Sequence, residues 1–456
     1  MSEIKKDLAL FSRLAEYILE TEEKKPVAER LQPEEAFQKA NLTLENNPVN
    51  EEALTEDLKE IIKYTPKTSS KKFFNQLFGG RSSKAFLGDL LALMLNNSMY
   101  TYKAGGILVA LENEIFKSSL KLAGLPQSGD GIMVPGGSMA NLMALLIARV
   151  RADADIKNKG RGKSLTAYTS EDAHYSNLKN MGFAGAGEEN LRKIKTDDDG
   201  RMDPQALQVA IREDIKNGKR PFLVIATAGT TVCGAFDPID EIADICEKHT
   251  LHLHVDGAYC GCVIFSEQLN HMAKGLHRAD TFCYNAHKVL GAPQNCSVML
   301  SRNPEWLRSS FNSTADYLFQ TDGDDFNPGI KSMQCGRRND ALKLWTLWKS
   351  KGTSGLGKIV EERYELSDYA RHYIKNHKDY TLYGPDHSLS VCFNYKNQDP
   401  AALCEKLYVE EQLMVGHGSF KGDRFIRLVI VNPNHTKNEI DGFFQTLEKC
   451  SLDTSI

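Results

Sequence analysis

One lysine in this chain stands where a reactive amine is useful. In Tyr284-Asn285-Ala286-His287-Lys288-Val289-Leu290-Gly291-Ala292-Pro293 it follows a short apolar run, Thr281 to Tyr284, and precedes a Gly-Ala-Pro break. That spacing places the amine on a strand-end loop, where catalytic groups collect. Three other segments bring complementary chemistry. Leu251-His252-Leu253-His254-Val255-Asp256-Gly257-Ala258-Tyr259 alternates like a strand and ends in a carboxylate. Pro135-Gly136-Gly137-Ser138-Met139-Ala140-Asn141 opens a helix with free N–H groups, and Thr169-Ser170-Glu171-Asp172-Ala173-His174 ends a strand with an imidazole. Each alone has a plainer reading: a solvated lysine, a turn-capping aspartate, an N-cap, a surface histidine.

Together they supply what pyridoxal 5'-phosphate (PLP) requires: an amine for its aldehyde, a carboxylate for its pyridinium nitrogen and a cradle for its phosphate. Lys288 is the candidate amine and Asp256 the candidate ring-nitrogen partner.

With these motifs in this order, the sequence resembles the PLP-dependent group II amino-acid decarboxylases, most nearly the glutamate and cysteine-sulfinate decarboxylase branch, from about Lys72 to the C-terminus. The resemblance implies an α/β chain of the aspartate-aminotransferase-like fold (fold type I), working as a homodimer with the active site at the subunit interface. It gives phosphate contacts to Ser138, the backbone of Met139 and Ala140, and His287; Ala140 replaces the family's usual serine. It stacks His174 on one face of the cofactor, packs Ala258 on the other and puts Thr227 close by. Arg427, in Arg424-Phe425-Ile426-Arg427-Leu428-Val429, matches the arginine that holds the substrate α-carboxylate, a task suited to its planar fork. Phe73-Phe74-Asn75-Gln76-Leu77 looks like the acidic-substrate signature, with Asn75 and Gln76 as side-chain readers.

Two segments depart from the family pattern. Tyr102-Lys103-Ala104-Gly105-Gly106 has a lysine where the glutamate branch has a glutamate, which would shift preference among acidic side chains towards aspartate or cysteine sulfinate. The mobile loop has Phe326 in the region where relatives carry a proton-donating tyrosine, leaving Tyr317 or another group as donor.

The elements that must position these residues are legible in outline. Helical spacing runs over Ile4–Leu19, with the charge run Glu22 to Pro26 ending it, and over Glu51–Tyr64. Two further helical runs lie between Leu87 and Gly124, and the Gly105-Gly106 pair makes helix unfavourable between them. Strands are expected at Leu165–Thr169, Phe222–Ala226, Leu251–Val255, Thr281–Tyr284 and Ser297–Leu300. Helices at Ser138–Arg151, Pro204–Asn217 and Ile239–Lys248 alternate with several of them, the pattern of a mostly parallel sheet covered on both faces. A large PLP-binding domain over 72–351 would follow a helical segment, 1–71, that packs at a dimer interface. A smaller α+β domain over 352–456 completes the chain.

With 456 residues, 41% hydrophobic and 25% charged, the chain can bury a sizeable core, and a formal charge of -4 offers no field for nucleic acid or anionic membrane. Arg149, Arg151, Lys157, Lys159, Arg161 and Lys163 read as a solvated loop interleaved with acids. Ten scattered cysteines without CxxC spacing suggest reduced thiols in a cytoplasmic protein, and no apolar run reaches the ~18 residues of a membrane span. Alternatives remain open. His252, His254 and Asp256 share a strand face and could feed zinc in a hydrolase. An aromatic or aldehyde-forming variant of the family, or a catalytically silent PLP-binding paralogue, would keep most of the same motifs.

Overall fold

The computed structural model describes residues 2–160, 164–312 and 326–452. Its strands are β1 (Phe73–Phe74), β2 (Asp130–Val134), β3 (Leu165–Ser170), β4 (Leu191–Ile194), β5 (Arg220–Thr227), β6 (His252–Gly257), β7 (Thr281–Asn285), β8 (Ser297–Ser301), β9 (Tyr380–Tyr383), β10 (Ser390–Tyr395), β11 (Met414–Phe420) and β12 (Asp423–Val429). Seven of them form one sheet in the order β2-β8-β7-β6-β5-β3-β4. Strands β4, β3, β5, β6 and β7 run parallel, and β8 lies antiparallel to both of its neighbours. Every residue of β3, β6, β7 and β8 is buried, as happens when helices cover both faces of a sheet. Polar residues on these strands must therefore find partners inside the protein.

The crossover helices begin where the sequence provides caps. Asp203 accepts hydrogen bonds from the N–H groups of Gln205 and Ala206, with Pro204 in the first turn, and the helix runs Pro204–Lys216. Ile239–His249 and Gly137–Ala152 complete the layers nearest the site. The second sheet has the order β1-β11-β12-β10-β9. Its first strand is the two-residue Phe73–Phe74, which pairs parallel with Met414–Val415 and so carries Asn75 to the small sheet from far ahead in sequence. A long helix, Ala341–Lys375, joins the two halves and is broken at Gly352, whose φ of 70° a side chain would oppose.

Three expectations need correction. The first helix extends past Leu19 to Lys24 and stops inside the Glu22 to Pro26 charge run, where Glu22 pairs with Arg81 instead of facing solvent unpaired. Tyr102–Gly105 forms one helical turn, capped by the Thr101 side chain, and only Gly106, at φ 54°, breaks it before Ile107–Leu122. Arg149 and Arg151 do not belong to a solvated loop: they lie in the last turn of Gly137–Ala152, where Arg149 donates to the Ala184 carbonyl and Arg151 stacks over Trp306 at 3.6 Å. A partly buried guanidinium is favourable here because carbonyl and ring faces meet it.

Candidate active site

Three parallel strands end together. Thr227 closes β5, Asp256 lies near the end of β6, and Lys288 follows β7 by three residues. Carboxyl ends of parallel strands are where such sheets bind ligands. Burial pushes the Lys288 ammonium below its usual pKa, while the nearby Asp256 carboxylate pulls it back up. Its amine lies 5.9 Å from the centre of the Tyr259 ring, and the Cys260, Cys262 and Cys283 thiols are close enough to bear on its charge. Burial that disfavours the ammonium in this way favours the amine form that attacks an aldehyde.

Asp256 is 4% exposed. Its Oδ2 accepts from Asn141 Nδ2 at 2.7 Å, and its Oδ1 accepts from the Ala258 N–H at 3.0 Å. Those donors hold the carboxylate in place for a protonated ring nitrogen. His174, at the turn after β3, accepts the Ser176 N–H at Nδ1 (3.2 Å), which leaves its proton on Nε2. Burial lowers its pKa against the pull of Asp256, so a neutral ring faces the Lys288–Asp256 pair.

The anion cradle is built by close approach. A Cβ placed on Gly137 would stand 2.7 Å from Ala258 Cβ, so only glycine lets this helix start meet the end of β6. The N–H groups of Met139 and Ala140 both donate to the Gly136 carbonyl at 3.1 Å. Among the described residues no backbone acceptor takes the Gly137 or Ser138 N–H, so the free donors lie two residues earlier than the expected Met139 and Ala140. Ser138 itself is exposed, whereas the Ala140 methyl is buried within the helix packing. His287 Nδ1 stands 3.0 Å from both the N–H and the carbonyl of Cys296, and burial lowers its pKa to about 4, so the ring is neutral.

Two buried oxygens lack partners here, Thr227 Oγ1 and Asn285 Oδ1. Asn285 Nδ2 stands 3.3 Å from the position a Gly137 Cβ would take, at the mouth of the cradle. Unpaired buried oxygens are costly, and one on the strand position paired with Asp256 and one beside Gly137 fit a polar ligand. Amine, carboxylate, cradle and orphaned oxygens together match PLP. Asn285 and Asn141 both stood inside quoted motifs, but nothing in the sequence marked their side chains as facing the site. Asp237 was equally silent. It accepts the Thr227 and Met202 N–H groups at 2.7 Å, and burial raises its pKa to about 7.

Arg427 lies on β12, close enough to bear on Tyr259, whose ring is 5.9 Å from the Lys288 amine. Its Nη1 donates to the Thr231 carbonyl (3.1 Å) and its Nη2 to the Asn75 carbonyl (3.2 Å), while Nε is buried without a partner. Two of five N–H groups are thus used to fix the guanidinium, and three remain for a ligand. Arg427 lines an open cavity of about 380 Å³ with Asn75, Gln76, Gly416 and His417. Lys103 is grouped elsewhere: its helical turn packs against the loop end, with Tyr102 and Phe326 rings 5.8 Å apart and the Tyr102 N–H on Asn327 Oδ1. Tyr317 lies outside the described residues.

A model of the pyridoxal-dependent decarboxylase conserved domain matches residues 33–396. The chain belongs to the pyridoxal-dependent decarboxylase family. It is 36% identical to the cysteine sulfinic acid decarboxylase of Rattus norvegicus, over 94% of this chain and 91% of that protein. It is 35% identical to the acidic amino acid decarboxylase GADL1 of Xenopus tropicalis, over 94% of this chain and 88% of that one. The crystal structure of mouse CSAD superposes with a TM-score of 0.91 at 34% identity, covering 97% of both chains. PLP is the cofactor of this decarboxylase family. As a family member, the chain uses the HxHxD strand for hydrogen bonding: His252 and His254 both meet Thr281 Oγ1 at 2.9 Å, and the Arg151 guanidinium beside His252 opposes a cation there.

Proposed function

We propose that this decarboxylase acts on a small acidic L-amino acid, such as cysteine sulfinate, aspartate or glutamate, releasing carbon dioxide and the amine. The observation that carries this is Arg427, pinned by two carbonyls with Nε unpaired, next to Asn75 and Gln76 in one cavity. The relatives named for acidic substrates support it.

When bound, PLP supplies an aldehyde carbon for amines and a conjugated ring that takes up the electron pair left as carbon dioxide departs. Lys288 would hold the aldehyde carbon, Asp256 would keep a proton on the ring nitrogen, and His174 and Ala258 would flank the ring. The free Gly137 and Ser138 N–H groups, at the start of the helix that carries Met139 and Ala140, would form the phosphate end of the site with the Ser138 side chain and His287, with Thr227 beside the ring. Arg427 binds the α-carboxylate and sets the scissile bond across the ring face, which selects decarboxylation over other bond cleavages. Lysine at 427 keeps the charge but cannot span Thr231, Asn75 and a carboxylate at once. Arg427→Lys is therefore expected to raise KM by about tenfold or more and to lower kcat, measured by steady-state CO2 release.

The unit is a homodimer in this reading, with its three parts at 1–71, 72–351 and 352–456. Leu87, Leu91, Met94 and Leu95 on Ser83–Leu95, with Phe11 and Leu8 on the first helix and Ile107 at 80% exposure, present more apolar surface than a monomer ordinarily leaves in water. Lys103, like Tyr102, is exposed on its turn, and it would serve the neighbouring subunit's substrate. Ten cysteines, nine of them buried and none recorded in a disulfide among the described residues, suit the cytoplasm, and among the described residues no helix is long and apolar enough to cross a membrane.

The deciding experiment is CO2 release by PLP-loaded protein with glutamate, aspartate, cysteine sulfinate and aromatic amino acids, alongside its visible spectrum and light-scattering mass. Turnover of one acidic substrate by a dimer is expected. Aromatic turnover would overturn the pocket reading. A bound-cofactor band without turnover would mark a silent paralogue.

A further inference from the structure

Behind Asp256 a line of hydrogen bonds crosses the large sheet. Asn141 Nδ2 donates to Asp256 Oδ2 at 2.7 Å, and Asn141 Oδ1 meets His254 Nε2 at 3.0 Å. His254 Nδ1 and His252 Nε2 each meet Thr281 Oγ1 at 2.9 Å, and His252 Nδ1 meets Arg151 Nη1 at 2.6 Å. Asn141, His252, His254, Thr281 and Asp256 are all buried. Arg151, half-exposed, also pairs with Asp280 at 3.1 Å.

The two ends of this line fix its direction. A guanidinium can only donate, and a carboxylate can only accept. Arg151 must donate to His252 Nδ1, so the His252 proton is on Nε2 and points at Thr281. The Thr281 hydroxyl accepts it and donates onward to His254 Nδ1. The His254 proton is then on Nε2, pointing at Asn141 Oδ1, which turns the Asn141 amide N–H onto Asp256. Running the line backwards would require Asp256 to donate. Both imidazoles must be neutral for this order, and burial lowers both pKas, that of His254 to about 4.

The consequence falls on Asp256. Oδ1 takes the Ala258 N–H and, at 3.7 Å, the Cys283 thiol, while Oδ2 takes Asn141. A carboxylate has about four acceptor positions, so about one remains, on Oδ2. We propose that Arg151, His252, Thr281, His254 and Asn141 are positioning residues: a directed chain that holds the Asp256 carboxylate in one orientation, with its remaining acceptor position turned to the ring nitrogen of PLP. The proposal rests on the assignment of Asp256 as that nitrogen's partner. Without the chain the carboxylate could rotate, and the proton on the ring nitrogen would lose its fixed acceptor.

Thr281 is the place to cut, three hydrogen bonds away from Asp256 and replaceable by valine with little change of shape. The readouts are the PLP Kd of the apoprotein and the 15N NMR signal of ring-labelled PLP bound to the folded protein. Thr281→Val is expected to raise Kd roughly tenfold, the scale on which outer partners of a ligating group act, and to move the ring nitrogen signal towards the unprotonated position. Thr281→Ser, which restores the hydroxyl, keeps both at the parent values. Arg151→Met cuts the chain at its exposed end without disturbing the core and moves the signal the same way. Parent-like Kd and signal in folded Thr281→Val and Arg151→Met would overturn the proposal, as would a Thr281→Ser protein impaired as much as the valine variant. If Asp256→Asn itself leaves the ring signal unmoved, the assignment of Asp256 fails, and the positioning chain with it.

Discussion

Lys288→Ala is expected to lower the rate of CO2 release by more than about a thousandfold while leaving the fold intact, the scale of loss when a covalent catalytic group is removed. Two features of the site argue for so large an effect. The lysine follows β7 beside Asp256, and it is the amine whose charge responds to Asp256 and to the Cys260, Cys262 and Cys283 thiols. Burial works against its charge, so the side chain is tuned for nucleophilic use and contributes little as an ion pair. Its removal takes a disfavoured cation out of the interior, and thermal unfolding of the apoprotein should change little. The check is borohydride reduction of the PLP-loaded protein followed by peptide mass spectrometry. The parent should carry the reduced cofactor on the peptide holding Lys288, and the alanine variant should carry none.

Asp256→Asn has the second large effect, and it combines two losses. The carboxylate offers an acceptor to Asn141 on Oδ2 and another to the Ala258 N–H on Oδ1. An amide of the same shape has one acceptor oxygen, so one of those donors would face an NH2 group. A buried unmatched donor costs about 1–3 kcal/mol of stability. The ring nitrogen would also lose the negative charge that holds its proton, the charge most important as carbon dioxide leaves. Turnover should fall by about a hundred- to a thousandfold, as when one preorganised electrostatic partner is deleted elsewhere. Steady-state kinetics would separate the two losses: a fall in kcat at unchanged KM follows the ring nitrogen, whereas a lower unfolding temperature follows the unmatched donor. A variant with parent-like kcat would remove Asp256 from the catalytic group.

Much of the site was written in local sequence. The His287-Lys288 pair, the strand ending at Asp256 and the glycines before Ser138 each declare a local structure whose end position is chemically useful. Alternation of strands and helices was enough to predict the parallel sheet, although β6 carries His252, His254 and Asp256 at alternate positions and, buried on both faces, must bond them inside the protein. Helix limits such as Glu51–Tyr64 were equally visible, since Asn50 caps one end and Thr65 leaves the pattern at the other.

What the sequence could not supply were the relations between segments remote in the chain. Phe73–Phe74 is too short to announce itself as a strand, and only its pairing with Met414–Val415 brings Asn75 to Arg427. Arg149 and Arg151 looked solvated because charge density along the chain carries no information about the carbonyl, ring or imidazole that waits across the sheet. Asn141, Asn285 and Asp237 are polar residues whose neighbours in sequence say nothing of use. Their roles come from burial, which makes Asn141 and Asp237 find partners inside the protein and leaves Asn285 Oδ1 without one. Local sequence determined which residues could do chemistry; tertiary packing decided which of them face one another, because hydrogen-bond partners are chosen by distance in space and not along the chain.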